Sequence, residues 1–155
     1  MNFKVFNIEF EGIDKSGKDS IMQQIFSVAP NKYIPKSRGL ISQIAYSNLY
    51  DRDYNYLESE GYIENTLFVL LTVDRDDWKV RCDISHEHEK NKNRTDMEAA
   101  VEYTSNSQAF IEAYDYLYTK YKDKYSNHFM RFNTSSKTPY QIITEVVKRM
   151  DELNS

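Results

Sequence analysis

The hydrophobic and polar positions of this chain follow patterns that predict strands separated by helices. Residues 3–10 (FKVFNIEF) combine alternation with β-branched and aromatic residues, which is typical of a strand. Residues 67–73 (LFVLLTV) form a continuous apolar run, of the kind that is buried on both faces of a parallel sheet. Two shorter strands are predicted at 32–35 and 128–132.

Apolar residues at helical spacing occupy the intervals between these strands. The predicted helices cover 20–28, 40–50, 54–65, 75–83, 97–125 and a last segment after Pro139, in which Ile143, Val146, Val147, Met150 and Leu153 share one face. Strands that alternate with helices predict βα units and a parallel sheet, here of about four to five strands. We therefore expect an α/β fold in a single domain over residues 1–155.

The composition is that of an ordinary globular chain. The sequence has 155 residues, of which 40% are hydrophobic and 28% charged, with a net charge of −4 that argues against a general nucleic-acid binder. No apolar run approaches the roughly 20 residues of a membrane span. The N-terminal stretch is interrupted by Asn7, Glu9 and Glu11, so it does not resemble a signal peptide. A lone Cys82 excludes an intrachain disulfide and fits a reducing cytoplasm.

The strongest chemical signal is the segment 12–20 (GIDKSGKDS). It matches the G-x-x-x-x-G-K part of a Walker A loop, and it follows a predicted strand and precedes a predicted helix, which is the required context. The glycines let the backbone N–H groups turn towards phosphate oxygens, the helix start adds its positive dipole end, and Lys18 reaches the β- and γ-phosphates. The candidate ATP-binding residues are Gly12, Ser16, Gly17, Lys18, Asp19 and Ser20.

Asp19 stands where a Ser or Thr normally holds Mg²⁺ in such a loop. A bare carboxylate about 4 Å from a phosphate charge costs about 4 kcal/mol at an effective dielectric constant near 20. Its favourable interaction with the helix dipole is only about 0.3–1 kcal/mol. We therefore expect Asp19 to ligate Mg²⁺ directly or through water. The alternative is an Asp19 that points away, with Ser20 or no residue in its place.

Two motifs together resemble the thymidylate kinase family. The string FEGIDKSGKDS is similar to that family's loop, FEG-x-D-x-x-G-K, and residues 37–46 (SRGLISQIAY) resemble its D-R-Y-x-x-S-x-x-A-Y motif. The matching positions of the second motif are Arg38, Ser42, Ala45 and Tyr46. Compact phage-encoded members often have a glycine after the arginine, as Gly39 is here, so the chain resembles that subgroup. The resemblance implies a P-loop NTPase three-layer sandwich with a helical lid, and a kinase that uses ATP and Mg²⁺.

The resemblance also implies roles for individual positions. Asp14 would approach the acceptor's sugar hydroxyl or the transferring phosphate, and Lys15 would help to stabilise the transferred phosphoryl group. Arg38 would clamp the acceptor phosphate, a task suited to a planar, bidentate donor. The residues that would line the acceptor nucleoside pocket or read the base are Ser42, Tyr46 and Ser47.

The chain departs from the family pattern in two ways. Ser37 stands where the family motif has Asp, so one expected carboxylate is missing while Asp19 supplies an extra one. Our hypothesis is that the carboxylate has moved across the metal. In addition, only residues 29–37 separate the first predicted helix from the arginine motif, whereas the family normally has a strand, a helix and a base-recognising Arg–Pro–Gly segment there, so part of that region is missing. The identity of the acceptor base is therefore not predicted.

A lid is the expected role of the segment at about 82–97. It follows the 67–73 strand and is rich in charged and polar residues, as in nucleoside monophosphate kinases, where basic lid residues close over the donor phosphates. Arg81 and Arg94 are the candidate cations. The alternative is a solvated loop whose cations balance nearby acids. On the following helix, Tyr114, Tyr118, Tyr121 and Tyr125 share one face, and we expect them to pack against the sheet rather than to stack bases.

These observations favour a nucleoside monophosphate kinase that moves the γ-phosphoryl group of ATP–Mg²⁺ onto a dTMP-like deoxynucleotide. One alternative keeps the donor site but takes a nucleic-acid end or a modified DNA base as the acceptor. Another is a nucleotide-binding P-loop protein that no longer turns over. We expect a nucleotide partner, no membrane partner and a cytoplasmic location, in a host cell if the chain is viral. A homodimer is compatible with this interpretation.

Overall fold

A computed structural model describes residues 4–51, 58–86 and 96–155. Within them, four parallel strands form one sheet in the order β2-β1-β3-β4. The strands are β1 (Asn7–Glu11), β2 (Ile34–Ser37), β3 (Thr66–Thr72) and β4 (Phe129–Asn133). The helices are α1 (Lys18–Val28), α2 (Leu40–Tyr50), α3 (Glu60–Glu64), α4 (Arg75–His86), α5 (Asp96–Tyr125) and α6 (Pro139–Leu153). The predicted α/β fold with a parallel sheet is confirmed.

Helices cover both faces of the sheet, which gives the expected three layers. One core packs β1 and β3 residues such as Ile8 and Val69 against α1 and α6, through residues such as Ile21 and Val146. The opposite core packs Phe68 and Leu70 of β3 against α2 and α5. None of the helices in the described part of the chain is long and apolar enough to cross a membrane.

The ends of several elements differ from the prediction. β1 begins at Asn7 rather than at residue 3, because the backbone of Val5 pairs with the side chain of Asn154 instead of with a strand. β2 lies two residues later than predicted, after a turn in which Asn31 has φ +61°. The described part of the predicted helix 54–65 contains only the short α3.

The tyrosine face of α5 packs against the sheet, as predicted. Tyr114 is buried, and the rings of Tyr114 and Tyr118 meet that of Phe129 in β4 edge to face, with centroids 5.8 and 5.7 Å apart. Tyr125 is also buried. Two of the four tyrosines of this face, Tyr114 and Tyr125, thus belong to the core, whereas Tyr118 is 37% exposed.

The carboxyl ends of the parallel strands gather the loops that carry the candidate residues. The glycine loop follows β1, Arg38 follows β2, and the segments after β3 and β4 are joined by a 2.8 Å hydrogen bond from the Asp74 amide to the Ser135 hydroxyl. Ligands of open α/β sheets bind outside this edge. The site therefore lies where the topology favours it.

Candidate active site

The glycine loop between β1 and α1 requires its glycines. Gly12 has φ +151°, and a Cβ there would lie 2.4 Å from the carbonyl oxygen of Leu71 in β3. Gly17 has φ +103°. Left-handed backbone of this kind favours glycine, although Lys15 also adopts it, with φ +67°. The loop is thus closely packed on the end of β3.

Lys18 is the first residue of α1, and its side chain is almost fully buried against this loop. Its Nζ donates to the carbonyl oxygens of Gly12 at 2.7 Å and Ile13 at 2.9 Å. Burial, followed by the positive charge of Arg38, lowers the pKa of Lys18 from its usual value. Beneath the loop, the Ser16 hydroxyl is buried and has no hydrogen-bond partner among the described residues. The loop therefore holds a desolvated cation and a polar atom with unused hydrogen-bonding capacity.

A cavity of about 580 Å³, here called the loop cavity, opens over Lys18 and the start of α1. It brings together most of the residues that the sequence predicts for the donor and metal sites. The predicted residues that line it are Asp14, Lys15, Gly17, Lys18, Asp19, Ser20, Arg38 and Arg81, and Ser37, Thr134 and Pro139 line it as well. Asp19 and Ser37, the two positions that depart from the family pattern, thus share one cavity.

Arg38 follows β2 and contacts the loop that follows the neighbouring strand β1. Its guanidinium forms an ion pair with the Asp14 carboxylate, and it also lies over the ring of Tyr46, 5.5 Å from the centroid. Both partners of the ion pair are largely exposed, so the pair adds at most about 1 kcal/mol to stability. Its effect is instead to hold a bidentate cation beside Asp14.

Two buried carboxylates of β1, which the sequence analysis did not single out, hold the start of α2. The Glu11 carboxylate accepts from the amides of Gly39 at 3.1 Å and Ser42 at 2.8 Å, and from the Ser42 hydroxyl at 2.6 Å. Glu9 accepts from the Leu40 amide at 2.9 Å. Acidic residues at alternate positions of a predicted strand are the sequence signal for this arrangement, because a buried carboxyl group needs hydrogen-bond partners.

The surroundings of these two carboxyl groups affect their pKa values differently. Burial and the neighbouring Glu11 raise the pKa of Glu9 to about 8. Burial also raises the pKa of Glu11, but hydrogen bonds from Ser42 and Gly39 and the charge of Lys18 oppose the shift. The second oxygen of Glu9, Oε2, has no hydrogen-bond partner among the described residues. With a pKa of about 8, the Glu9 carboxyl group keeps its proton at neutral pH.

Arg81 of α4 contacts the glycine loop directly. Its guanidinium donates to the carbonyl oxygen of Lys15 at 2.8 Å and to the Thr134 hydroxyl at 3.1 Å. One turn earlier, the indole nitrogen of Trp78 donates to the carbonyl oxygen of Asp14 at 3.1 Å. Sequence analysis did not single out Trp78 or Thr134 as site residues. Arg94, the second candidate lid cation, lies outside the described residues.

A second cavity of about 170 Å³, here called the side cavity, lies between the glycine loop and helices α2, α4 and α5. It is lined by Ile13, Asp14, Lys15, Tyr46, Trp78, Cys82, Glu102, Tyr103, Asn106 and Phe110. The α5 residues of this set were missed by the sequence analysis, since their helical spacing alone indicates only a packed face. Ser42 and Ser47, which the sequence analysis assigned to the acceptor pocket, are not among the residues that line this cavity. The Ser42 hydroxyl donates to Glu11, and the Ser47 hydroxyl donates to the Ile44 carbonyl at 2.9 Å.

Similarity to known proteins supports the fold. No protein-family model and no curated protein sequence matches the chain. A solved structure of thymidylate kinase from Candida albicans superposes on it with a TM-score of 0.59, at 13% sequence identity, over 100% of this chain and 96% of that chain. At this identity the likeness concerns the fold, which is the α/β P-loop fold of thymidylate kinase. That enzyme is described as having broad substrate specificity.

Proposed function

We propose that this protein is a nucleoside monophosphate kinase, which transfers the γ-phosphoryl group of ATP to a deoxynucleoside monophosphate resembling dTMP. The observation that carries the proposal is the arrangement of the two cavities, which meet at Asp14 and Lys15. Phosphoryl transfer requires a donor and an acceptor on opposite sides of the transferred group, roughly in line. The loop cavity suits the phosphates of the donor, and the side cavity suits the nucleoside of the acceptor.

The residues around the junction supply the charges that this reaction needs. Lys18 and the loop amides would hold the donor phosphates, and Lys15 would face the transferred group. Arg38 would bind the acceptor phosphate, and Asp14 would approach the acceptor's sugar. Because the transition state spreads charge over the equatorial oxygens, such prepositioned cations are expected to provide most of the catalysis.

The donor set of the loop cavity fits Mg²⁺, a cation that prefers oxygen ligands and takes few of them from the protein. Asp19 and Ser20 line the cavity beside Lys18, and either oxygen could hold the ion together with nucleotide phosphates. In the described part of the chain, no group of three or more His, Cys, Asp or Glu side chains could hold a metal ion. A bound Mg²⁺ would neutralise charge on the donor phosphates.

The test is an ADP-release assay with ATP and Mg²⁺ across a panel of nucleoside monophosphates, with Lys18→Ala as the control. Turnover with one or a few deoxynucleotides, lost in the control, is the expected result, and product analysis should identify the corresponding diphosphate. Labelled phosphate on DNA ends instead would favour the nucleic-acid acceptor. ATP binding without any product would favour a non-catalytic nucleotide-binding protein, and either result would contradict the proposal.

Several finer predictions accompany this proposal. They are that residues 1–155 form a single kinase domain, that a lid at about 82–97 includes Arg94, and that the chain is a compact, phage-type member of the thymidylate kinase-like family. The roles of Ser42 and Ser47 at the acceptor also stay predictions. A homodimer and a cytoplasmic location are compatible with all of them.

A further inference from the structure

We propose that Glu9 is a positioning residue for Arg38: with Glu11 it caps the N-terminus of α2, and its close contact with Gly39 sets where the Arg38 guanidinium lies beside Asp14. This inference rests on the proposed function, in which Arg38 binds the acceptor phosphate. It adds a residue whose side chain reaches neither the loop cavity nor the side cavity.

The start of α2 depends on the two strand carboxylates because it lacks a cap of its own. The N-cap position is Gly39, which has no side chain to accept from the first helical amides. The Gly39, Leu40 and Ser42 amides donate instead to Glu11 or Glu9. Carboxyl oxygens near a helix N-terminus satisfy its free amides whether or not the carboxyl group is charged. The position of α2 over the sheet is therefore fixed from β1.

Glu9 and Gly39 fit each other sterically. A Cβ at position 39 would lie 2.2 Å from the Cδ of Glu9 and 2.3 Å from each of its carboxylate oxygens. Glu9 is fully buried, so its carboxyl group has little room to withdraw. Any side chain at position 39 must displace either Glu9 or the start of α2. The absence of a side chain at position 39 is thus the condition for the Glu9 cap.

The steric contact between Glu9 and Gly39 affects Arg38 because Arg38 is the residue next to Gly39 in the chain. Arg38 immediately precedes Gly39, has φ +67°, and its amide donates to the Phe10 carbonyl at 3.3 Å. Phe10 lies between Glu9 and Glu11 in β1, so the same short strand holds the backbone of Arg38 and the helix that follows it. A shift of the α2 start would move the guanidinium relative to Asp14. The effect on function is therefore expected at the acceptor phosphate.

The surroundings of Glu9 favour its neutral form. On its own strand it faces Glu11, and across β2 it faces Lys36, its partner in register, whose charge opposes the effect of Glu11. Across β3 its register partner is the apolar Phe68, and α2 offers it the Leu40 amide. A neutral carboxyl still accepts from that amide, whereas an ionised Glu9 would be a desolvated charge beside Glu11, and these costs outweigh the stronger bond that a carboxylate accepts from Leu40. Ionisation of Glu9 should therefore disturb the α2 start.

The experiment combines a double-mutant cycle with acceptor kinetics. Glu9→Ala, Gly39→Ala and the double variant are compared by thermal unfolding and by the KM values for ATP and the acceptor. Gly61→Ala is the matched glycine control, because no atom lies within 4 Å of a Cβ at Gly61. Glu152→Gln, an exposed residue of α6, is the matched glutamate control. Glu9→Gln, a neutral isostere, tests the charge state.

We expect Gly39→Ala to lower the melting temperature and to raise the acceptor KM about tenfold in the native background, but to add little once Glu9 is Ala. The ATP KM should change much less. Above about pH 8 the acceptor KM of the native chain should rise while that of Glu9→Gln stays flat, since the acceptor phosphate, with a second pKa near 6, is already ionised there.

Three results would overturn the proposal. Additive effects of Glu9→Ala and Gly39→Ala would show that the two positions do not interact sterically. Equal changes in the KM values for ATP and the acceptor would show that Glu9 supports the fold without positioning Arg38. Identical pH profiles of the acceptor KM in Glu9→Gln and the native chain would show that the protonation of Glu9 does not matter. If the native chain phosphorylates no monophosphate, the proposed function fails and the positioning role fails with it. The unfolding cycle still decides whether the contact exists.

Discussion

Arg81 donates a 2.8 Å hydrogen bond to the backbone carbonyl of Lys15, so a side chain of α4 holds the glycine loop by its exposed turn. The same guanidinium reaches the Thr134 hydroxyl at 3.1 Å and its carbonyl at 3.3 Å, beyond the end of β4. Thr134 is a further link, since its hydroxyl lies 2.8 Å from the Ser16 carbonyl oxygen. Arg81 therefore orders the loop as well as lining the loop cavity.

Replacing Arg81 should weaken donor binding more than acceptor binding. Arg81→Ala removes both a cation that lines the loop cavity and the hydrogen bonds that order the glycine loop, so the ATP KM should rise by about tenfold, or about 1.4 kcal/mol of donor binding. Arg81→Lys should rescue little, because an ammonium group lacks the fork that spans both partners. Steady-state kinetics with each substrate varied in turn would measure the effect. Arg149→Ala, a control on α6, should change neither KM, and an unchanged ATP KM in Arg81→Ala would refute the role.

The fold and the glycine loop between β1 and α1 could be predicted because local signals specify them. The apolar run that became β3 and the glycine spacing before α1 need no knowledge of tertiary contacts. The bounds of β1 could not be predicted, since they depend on Asn154, which pairs with Val5 from the far end of the chain. Sequence alternation does not register such a distant partner.

The residues that line the loop cavity were predicted in part for the same reason. Asp14, Lys18 and Arg38 lie in motifs, and the structure brings them around one cavity. Glu9 was noted only as a polar interruption of the N-terminal segment, because its role requires the start of α2 to lie over β1. Asn106 was missed because helical periodicity does not distinguish a cavity wall from a core face.

Exchange of the residues at positions 19 and 37 should reveal whether the carboxylate has moved across the metal. Both positions line the loop cavity. Asp19→Ser or Ser37→Asp alone should lower kcat by about 10–100-fold, since each changes the charge around Mg²⁺. The double exchange should restore most of the activity, with the same Mg²⁺ concentration dependence as the native chain. Losses that simply add in the double variant would contradict the hypothesis.

Glu9 should also make stability depend on pH. Its pKa is about 8 in the folded chain and near 4.5 when unfolded, so between these values the folded state binds one more proton than the unfolded state. Stability should therefore fall as pH rises through this range, by about 1.4 kcal/mol per pH unit at most. Glu11, whose pKa is also raised, acts in the same direction.

Urea unfolding at about pH 5 and pH 8 would measure this dependence. Glu9→Gln cannot ionise, so it should lose less stability across the interval and should be more stable than the native chain at pH 8. Glu152→Gln should follow the native chain. An equal loss of stability in Glu9→Gln and in the native chain would mean that Glu9 ionises normally in the fold.

Asn106 should contribute to the acceptor site. It lies on α5 and lines the side cavity together with Trp78 and Tyr46, and it offers an amide that can both donate and accept. Asn106→Leu keeps a similar volume but removes the amide, so a polar group of the acceptor nucleotide would lose its hydrogen-bond partner, at a cost of about 1–3 kcal/mol. The acceptor KM should therefore rise about 5–150-fold, with little change in the ATP KM.

The neighbouring Gln108 provides the matched control for this substitution. It is exposed on the same helix, and its amide bonds Glu112 at 2.9 Å. Gln108→Leu should leave both KM values near those of the native chain, with thermal unfolding checked in each variant. Equal rises in the ATP and acceptor KM values of Asn106→Leu would argue against an acceptor role for the side cavity. Because this cavity shares Asp14 and Lys15 with the loop cavity, such a result would require the acceptor to approach the glycine loop from another direction.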